Sequence, residues 1–461
     1  MASVPKLLLL VLCSYHTLVA HVRGDGNYTV LSIGSLKSDS VCSEPEETSP
    51  STGVTTVPLH HRHGPCSPLP PKTKMPTLEE ILGRDQLRAA YIQRKFSGSD
   101  AKGGVQLLDL DDDVTVPTTL GTSLDTLEYV ITVGIGSPDM IQTMLIDTGS
   151  DVSWVQCKPC SQCHSQADPL FDPSLSTTYS PISCMSETCA ELGQEGSGSG
   201  CWRSQCQYIV SYGDGSSTTG TYGSDTLVLG SNIVTNFQFG CNYVESGFSD
   251  QTAGLMGLGG GPQSLVSQTA GTLGSAFSYC LPPTPSSSGF LTLGAVPGGQ
   301  GFVTTPMLRS SPIPTFYGVR LEAIVVGGRQ LFIPPWVFSA GMIMDSGTVI
   351  TRLPRTAYSA LSSAFRAAMR RYPPAPASSI LDTCFDFSGQ RIVMIPTVTL
   401  VFFGGAVVNL DANGIILDNC LAFAGNSDDW SLGIIGNVQQ RTFEVLYDVG
   451  GGAVGFRDGA C

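Results

Sequence analysis

The sequence predicts an all-β protein, mainly strands with a few short helices, built as two similar lobes that each present one aspartate. Three observations point to this. From about Glu128 onward the chain is a succession of short β-rich runs punctuated by glycine, among them EYVITVGIG, QYIVSYGDGSSTTGTYGSDTLVL and FYGVRLEAIVVGG. One segment, MLIDTGSD around Asp147, recurs in degenerate form as MIMDSGTV around Asp345. Each copy is followed, roughly a hundred residues on, by a second apolar strand ending in glycine: GLMG at 254–257 and GIIG at 433–436.

Residues 1–20, MASVPKLLLLVLCSYHTLVA, carry Lys6, an apolar run and then small residues near Ala20, with no acidic residue before Asp25. This is the pattern of a secretory signal peptide, too short for a membrane span. No later apolar run is long enough to cross a membrane, and VGFRDGAC at the end is no lipid-anchor signal. The expectation is export without a membrane anchor, to the cell exterior or apoplast or else to a vacuole. Residues 21–114 differ in texture and are expected to form a propeptide. They hold proline clusters, an acidic run (LDLDDD) and one helical stretch, TLEEILGRDQLRAAYIQRKF. The lobes follow at 115–300 and 301–461. Two helices stand out within them. One is short, near PQSLVSQTA. In the other, TAYSALSSAFRAAMRRY, Leu361, Phe365, Ala368 and Tyr372 share a face that Pro373-Pro374 terminates.

From Thr115 to the end there are 13 basic against 25 acidic residues, a net of −12. Residues 60–95 hold seven basic side chains (Arg62, Lys72, Lys74, Arg84, Arg88, Arg94, Lys95) against Glu79, Glu80 and Asp85. An acidic body argues against a nucleic-acid partner. A basic segment ahead of it suggests that the segment lies on the body and acts as an intramolecular inhibitor, an electrostatic plug that acid releases.

From Thr115 on, His164 is the only histidine and Lys158 the only lysine. A Ser-His-Asp triad, a Cys-His pair or an H-E-x-x-H zinc site would have to run through His164. GLGGGP at 257–262 is no dinucleotide loop, because Pro262 stands where the last glycine is needed and no βαβ unit surrounds it. The remaining chemistry is the pair of aspartates. One Asp-[Thr/Ser]-Gly is, by itself, a capped turn; two matched copies with matched distal strands suggest more. Each turn exposes a carboxylate beside the backbone N–H groups of a glycine (Gly149, Gly347), with a hydroxyl (Ser150, Thr348) close enough to orient it. Two carboxylates about 3 Å apart share one proton, so one can activate water while the other protonates a carbonyl oxygen.

CKPCSQCH at 157–164 allows three readings. Cys160-Ser-Gln-Cys163-His164 spells the c-type haem signature, the same residues could ligate zinc, and an even count of twelve cysteines from Cys157 onward suggests disulfides.

LIDTGSDVSW, YGDGS and IMDSGT resemble a pepsin-fold aspartic protease, and the cysteine-rich stretch after the first motif resembles the plant nepenthesin-like branch. HRHGPCSPL, DSGTVITRLP, CLAFAGNSDD and GNVQQRTFEVLYD extend the likeness over 60–461. The resemblance implies a bilobal, mostly β fold with a cleft between the lobes, and a secreted endopeptidase made as an acid-activated zymogen. It implies Asp147 and Asp345 as the catalytic pair and Tyr212 as the flap tyrosine, with Gly213 and Asp214 beside it. Trp154 would be its hydrogen-bonding neighbour, and Ser150 and Thr348 would support the aspartates. Asp-Gly alone favours a hairpin turn, which suffices for Asp214. The resemblance also implies the pairs Cys157–Cys160, Cys163–Cys241, Cys184–Cys206, Cys189–Cys201, Cys280–Cys461 and Cys384–Cys420, leaving no thiolate for haem or zinc. No cofactor or metal is expected, and the protein should act as a monomer on protein or peptide substrates. The rival is a catalytically dead relative that binds a partner, like the plant xylanase inhibitors. Those typically lose a catalytic motif, and both motifs are intact in this chain.

Overall fold

The computed structural model describes residues 27–33, 42, 54–70, 76–97, 129–194, 198–213, 215–248, 251–282, 284, 286–294, 301–311 and 313–459. The signal-peptide expectation, the acidic run, Asp214 and Cys461 lie outside these residues.

Among the described residues the elements begin with β1 (Tyr28–Ser32), β2 (Val54–His61) and helix α1 (Leu78–Ser97), and continue with β3 (Tyr129–Ile135), β4 (Met140–Asp147) and β5 (Trp154–Gln156). β3 and β4 pair antiparallel from Val130 opposite Leu145 to Ile135 opposite Met140. Most side chains on both faces of these strands are buried, which explains their near-continuous apolar sequence.

The internal repeat becomes the same arrangement built twice. β4 runs into Asp147, and the strand Gly254–Gly257 lies parallel to it with Gly257 beside Asp147. The strand Met342–Met344 runs up to Asp345, and Gly433–Ile435 lies parallel to it with Ile435 beside Met344. The last strands of the chain, Phe443–Asp448 and Ala453–Asp458, return to the sheet that carries β3 and β4, through Ala276–Cys280.

The leader is part of this framework. β2 is inserted between the strand Ser288–Gly294 and β3, and β1 adds to Ile392–Pro396 in a separate sheet. Val57 and Leu59 of β2 are buried in the main core. α1 begins at a capping box: Glu80 N–H donates to Thr77 Oγ1 at 3.2 Å, and Thr77 N–H donates to Glu80 Oε2 at 2.7 Å.

The short helix forms at Leu265–Leu273, capped by Ser264, which accepts from Ser267 N–H. The longer one covers Arg355–Ala368, ending four residues short of Tyr372. Met369 has left helical geometry at ψ 7°, and Tyr372 N–H donates to Met369 O in a turn. The residue before proline is disfavoured in the α region, so the chain unwinds ahead of Pro373. A helix not anticipated from the sequence, Glu187–Gln194, carries Cys189.

Of the disulfide pairs implied by the resemblance, Cys384–Cys420 forms as expected, whereas Cys157–Cys160, Cys163–Cys241, Cys184–Cys206 and Cys189–Cys201 need correction. The bonds are Cys157–Cys241, Cys160–Cys163, Cys184–Cys201, Cys189–Cys206 and Cys384–Cys420, with Cys42–Cys66 in the leader. Cys157 continues β5, which runs parallel to the strand holding Cys241, so these two lie side by side. Cys160 and Cys163 are left to close a tight loop of their own. Cys189 and Cys206 are both buried, whereas Cys201 is exposed and Cys184 half-buried, so the four cysteines pair by depth. Cys280 is disulfide-bonded; the expected pair with Cys461 reaches outside the described residues.

Candidate active site

Both aspartates are fully buried at the tips of the matched strands. Asp147 Oδ1 accepts from Gly149 N–H at 2.9 Å, and Asp345 Oδ1 accepts from Gly347 N–H at 3.3 Å. Thr348 Oγ1 donates to Asp345 Oδ2 at 2.5 Å. Its counterpart in the first copy behaves differently: Ser150 Oγ is buried and has no hydrogen-bond partner among the described residues. The lobes are joined instead by the middle residues of the motifs. Ser346 N–H donates to Thr148 Oγ1 at 2.9 Å, and Thr148 N–H donates to Ser346 Oγ at 3.1 Å. The Asp-[Thr/Ser]-Gly spelling contained this pair, but only the folded chain shows that the hydroxyls meet.

The space between the carboxylates is filled by Arg88 of α1. Arg88 Nη2 donates to Asp147 Oδ1 and Asp345 Oδ1 at 2.7 Å each, Nε to Asp345 Oδ2 at 2.9 Å, and Nη1 to Asp147 Oδ2 at 3.4 Å. An added Cβ at Gly149 would come 2.5 Å from Arg88 Nη2, so glycine there allows the guanidinium to approach. Burial pushes the Asp345 carboxyl up, but the charge and hydrogen bonds of Arg88, with Thr348 and Gly347, outweigh it and hold the group below its ordinary 3.8. Burial likewise disfavours the charge on Arg88, and the two aspartates more than restore it.

α1 occupies the cleft lengthwise. Leu82 packs with Val349 and Ile350, and Ala89 and Ile92 pack with Phe316, Ile343 and Ile434. Asp85 and Arg88 interrupt this apolar face, both buried. Two charges on the apolar face of a helix were the available sequence signal, which counting net charge over 60–95 conceals.

Tyr212 lies at the tip of a hairpin and accepts a 2.8 Å hydrogen bond from Trp154 Nε1; Phe248 packs edge-on against both rings. Gly213 faces Tyr91 of α1, where an added Cβ would stand 2.6 Å from Tyr91 Cβ. His164, the one histidine of the body, is enclosed: its Nδ1 lies 2.5 Å from Glu245 Oε1 and its Nε2 2.8 Å from Thr252 O.

Residues 129–295 match the family model described as xylanase inhibitor N-terminal, and residues 316–458 match the one described as xylanase inhibitor C-terminal. An aspartyl protease family protein of Arabidopsis thaliana is 44% identical over 90% of this chain and 89% of its own length. Nepenthesin-2 of Nepenthes gracilis is 40% identical over 72% of this chain and 78% of its own. The chain belongs to the pepsin-fold aspartic proteases, in their nepenthesin-like branch. Among solved structures, basic 7S globulin from soybean has the same fold, with a TM-score of 0.57 at 22% identity over 71% of this chain and 90% of its own. The structure titled edgp matches with a TM-score of 0.61 at 17% identity, over 89% and 96% of the two chains.

Proposed function

We propose that this nepenthesin-like aspartic protease is a secreted, monomeric endopeptidase made as a zymogen, with residues 54–97 holding it inactive. The observation that carries this reading is Arg88, which donates to all four oxygens of Asp147 and Asp345. A guanidinium there stands where the attacking water would have to sit and holds the Asp345 carboxyl in its charged form. With α1 gone, two carboxylates so placed cannot both remain ionised in a buried site, and they share a proton. The charged one takes a proton from water as it attacks the peptide carbonyl; the neutral one donates its proton to the carbonyl oxygen. Gly149 and Gly347 N–H and Thr348 Oγ1 hold the carboxylates in place meanwhile. Tyr212, supported by Trp154, would close over the peptide, and Val152, Val210 and Ser211 line the same hollow. The signal-like first twenty residues support export, and no helix among the described residues is long and apolar enough to cross a membrane.

The test is to acidify the purified full-length protein and follow its N-terminus and its casein hydrolysis together. A new start within 97–127 should coincide with the rise in activity, and Asp147→Asn or Asp345→Asn should abolish it. A folded, acid-matured protein that cuts nothing would favour the partner-binding reading, which the xylanase-inhibitor description of the matching family models favours.

A further inference from the structure

Three residues before Arg88 on the same face of α1, Asp85 is fully buried against the second lobe. Its Oδ1 accepts from Val349 N–H at 2.5 Å, and its Oδ2 accepts from Ile350 N–H at 3.3 Å and from Arg352 Nη2 at 2.6 Å. Arg352 is itself only 3% exposed. Its Nη1 donates to Gln86 Oε1 at 3.0 Å, and its Nε has no partner among the described residues. Every hydrogen bond described for this guanidinium therefore ends on α1, the element that must leave before the cleft can admit a peptide.

The donors belong to the protease body and follow directly on the Asp345 motif. When α1 departs, a guanidinium that does not lose its proton and two N–H groups aimed at one point are left without acceptors. They then line the vacated cleft as a set of donors matched in shape and charge to a carboxylate. The geometry points to a second occupant of the same chemistry. We propose that Val349 N–H, Ile350 N–H and Arg352 form a carboxylate subsite in the open cleft, which selects peptide substrates with an Asp or Glu side chain at the matching position. Asp85 occupies that subsite in the structure as a substrate would. The preference has to be local, because the body as a whole, at net −12 from Thr115 on, repels acidic peptides. Arg352 is then a specificity residue, distinct from the dyad. This inference rests on the peptidase reading above.

The experiment uses acid-matured protein and fluorogenic peptides that differ at one residue, Asp or Asn, moved position by position across the scissile bond. At about pH 5 a free aspartate is mostly ionised. One position should favour Asp in kcat/KM by about tenfold, because Asn would turn an amide N–H group toward donors that Asp meets with oxygen. Arg352→Gln should bring that ratio to about one, and Arg352→Glu should reverse it in favour of Lys. These are ratios within each enzyme, so they do not depend on absolute rate or folded fraction. A second measurement needs no protein variant: a synthetic peptide of residues 77–97 should inhibit the matured protein, and the same peptide with Asp85→Asn should inhibit about tenfold less. No acid-preferring position, a preference that survives Arg352→Gln, or equal inhibition by the two peptides would overturn the subsite. If no peptide is cut at all, the peptidase reading fails, and direct binding of the two 77–97 peptides still decides whether the subsite exists.

Discussion

Thr148 and Ser346 exchange hydrogen bonds across the cleft, each backbone N–H donating to the other's hydroxyl at 3.1 and 2.9 Å. Both residues are buried, and each follows one of the paired aspartates. The two carboxylates are thus held in register by a contact that belongs to neither lobe alone. Asn437 Nδ2 adds a 3.1 Å donation to Ser346 O, tying the same turn to the short helical turn that follows the distal strand of its own lobe.

Ser346→Ala should therefore cost both stability and turnover. It removes the acceptor for Thr148 N–H and leaves that buried donor unsatisfied, a penalty of about 1–3 kcal/mol. Ser346→Thr, which copies the residue of the first motif, should restore much of the loss. Thermal melts and casein turnover of the two variants check this. An unchanged Ser346→Ala melt would mean that the hydroxyl pair contributes nothing to holding the lobes together.

Acid release follows from Asp345. While Arg88 is docked, that carboxyl lies below its ordinary 3.8. A depressed value means that the contact contributes fully above the free value and is lost as pH falls through the depressed one. Asp85 works in the opposite direction. Burial raises its carboxyl in the docked state, against the pull of Arg352 and the amides of Val349 and Ile350, so its protonation on acidification favours docking. The wild-type full-length protein should thus switch on only below about pH 4. Arg88→Gln removes the dyad contact and should leave uncut protein at least about tenfold more active than wild type at about pH 5. Identical activation profiles for the two proteins would rule out Arg88 as the latch.

The sequence made the dyad legible because strand, aspartate, turn glycine and hydroxyl are all local, and because the pattern occurs twice. The helical stretch that becomes α1 and the turn signal after Tyr212 are local in the same sense. Arg88 was hidden for a different reason. Its meaning depends on two partners 59 and 257 residues away, and in a count of charges it is indistinguishable from Arg84 or Arg94. The cysteines failed similarly. Cys157, Cys160 and Cys163 follow one another at even three-residue steps, and only the parallel run of β5 beside the Cys241 strand separates the choices.

Partial reduction should reveal that arrangement. Cys157 and Cys241 are both fully buried, while Cys201 of the Cys184–Cys201 bond is exposed. Mild reductant should open Cys184–Cys201 first and Cys157–Cys241 last, and peptide mapping should recover the 157–241 cross-link from the native protein. The 157–241 bond spans 84 residues, so Cys157→Ala with Cys241→Ala should cost about 4–5 kcal/mol in the chain-entropy account. Recovery of a 157–160 peptide instead would restore the pairing implied by family resemblance.

The leader has a structural role separable from the latch, and β2 provides the means to separate them. Its residues from Val54 to His60 pair with all seven residues of Ser288–Gly294 on one side, and its last two, His60 and His61, pair with Val130 and Tyr129 on the other. Leu59 is fully buried in the main core, remote in sequence from Arg88 and from every residue that touches the dyad. Leu59→Ala should destabilise the full-length protein by about 2–5 kcal/mol through the cavity it leaves. The acid-matured form has lost residue 59 if maturation cuts within 97–127 and the leader dissociates, so its melt should match that of matured wild type. The acid threshold of activation should shift little, because Arg88 and Asp85 are untouched. Equal melts for full-length wild type and Leu59→Ala would show that β2 is dispensable to the sheet. A matured variant that still melts early would show that β2 stays bound after the cut and remains a working strand of the enzyme.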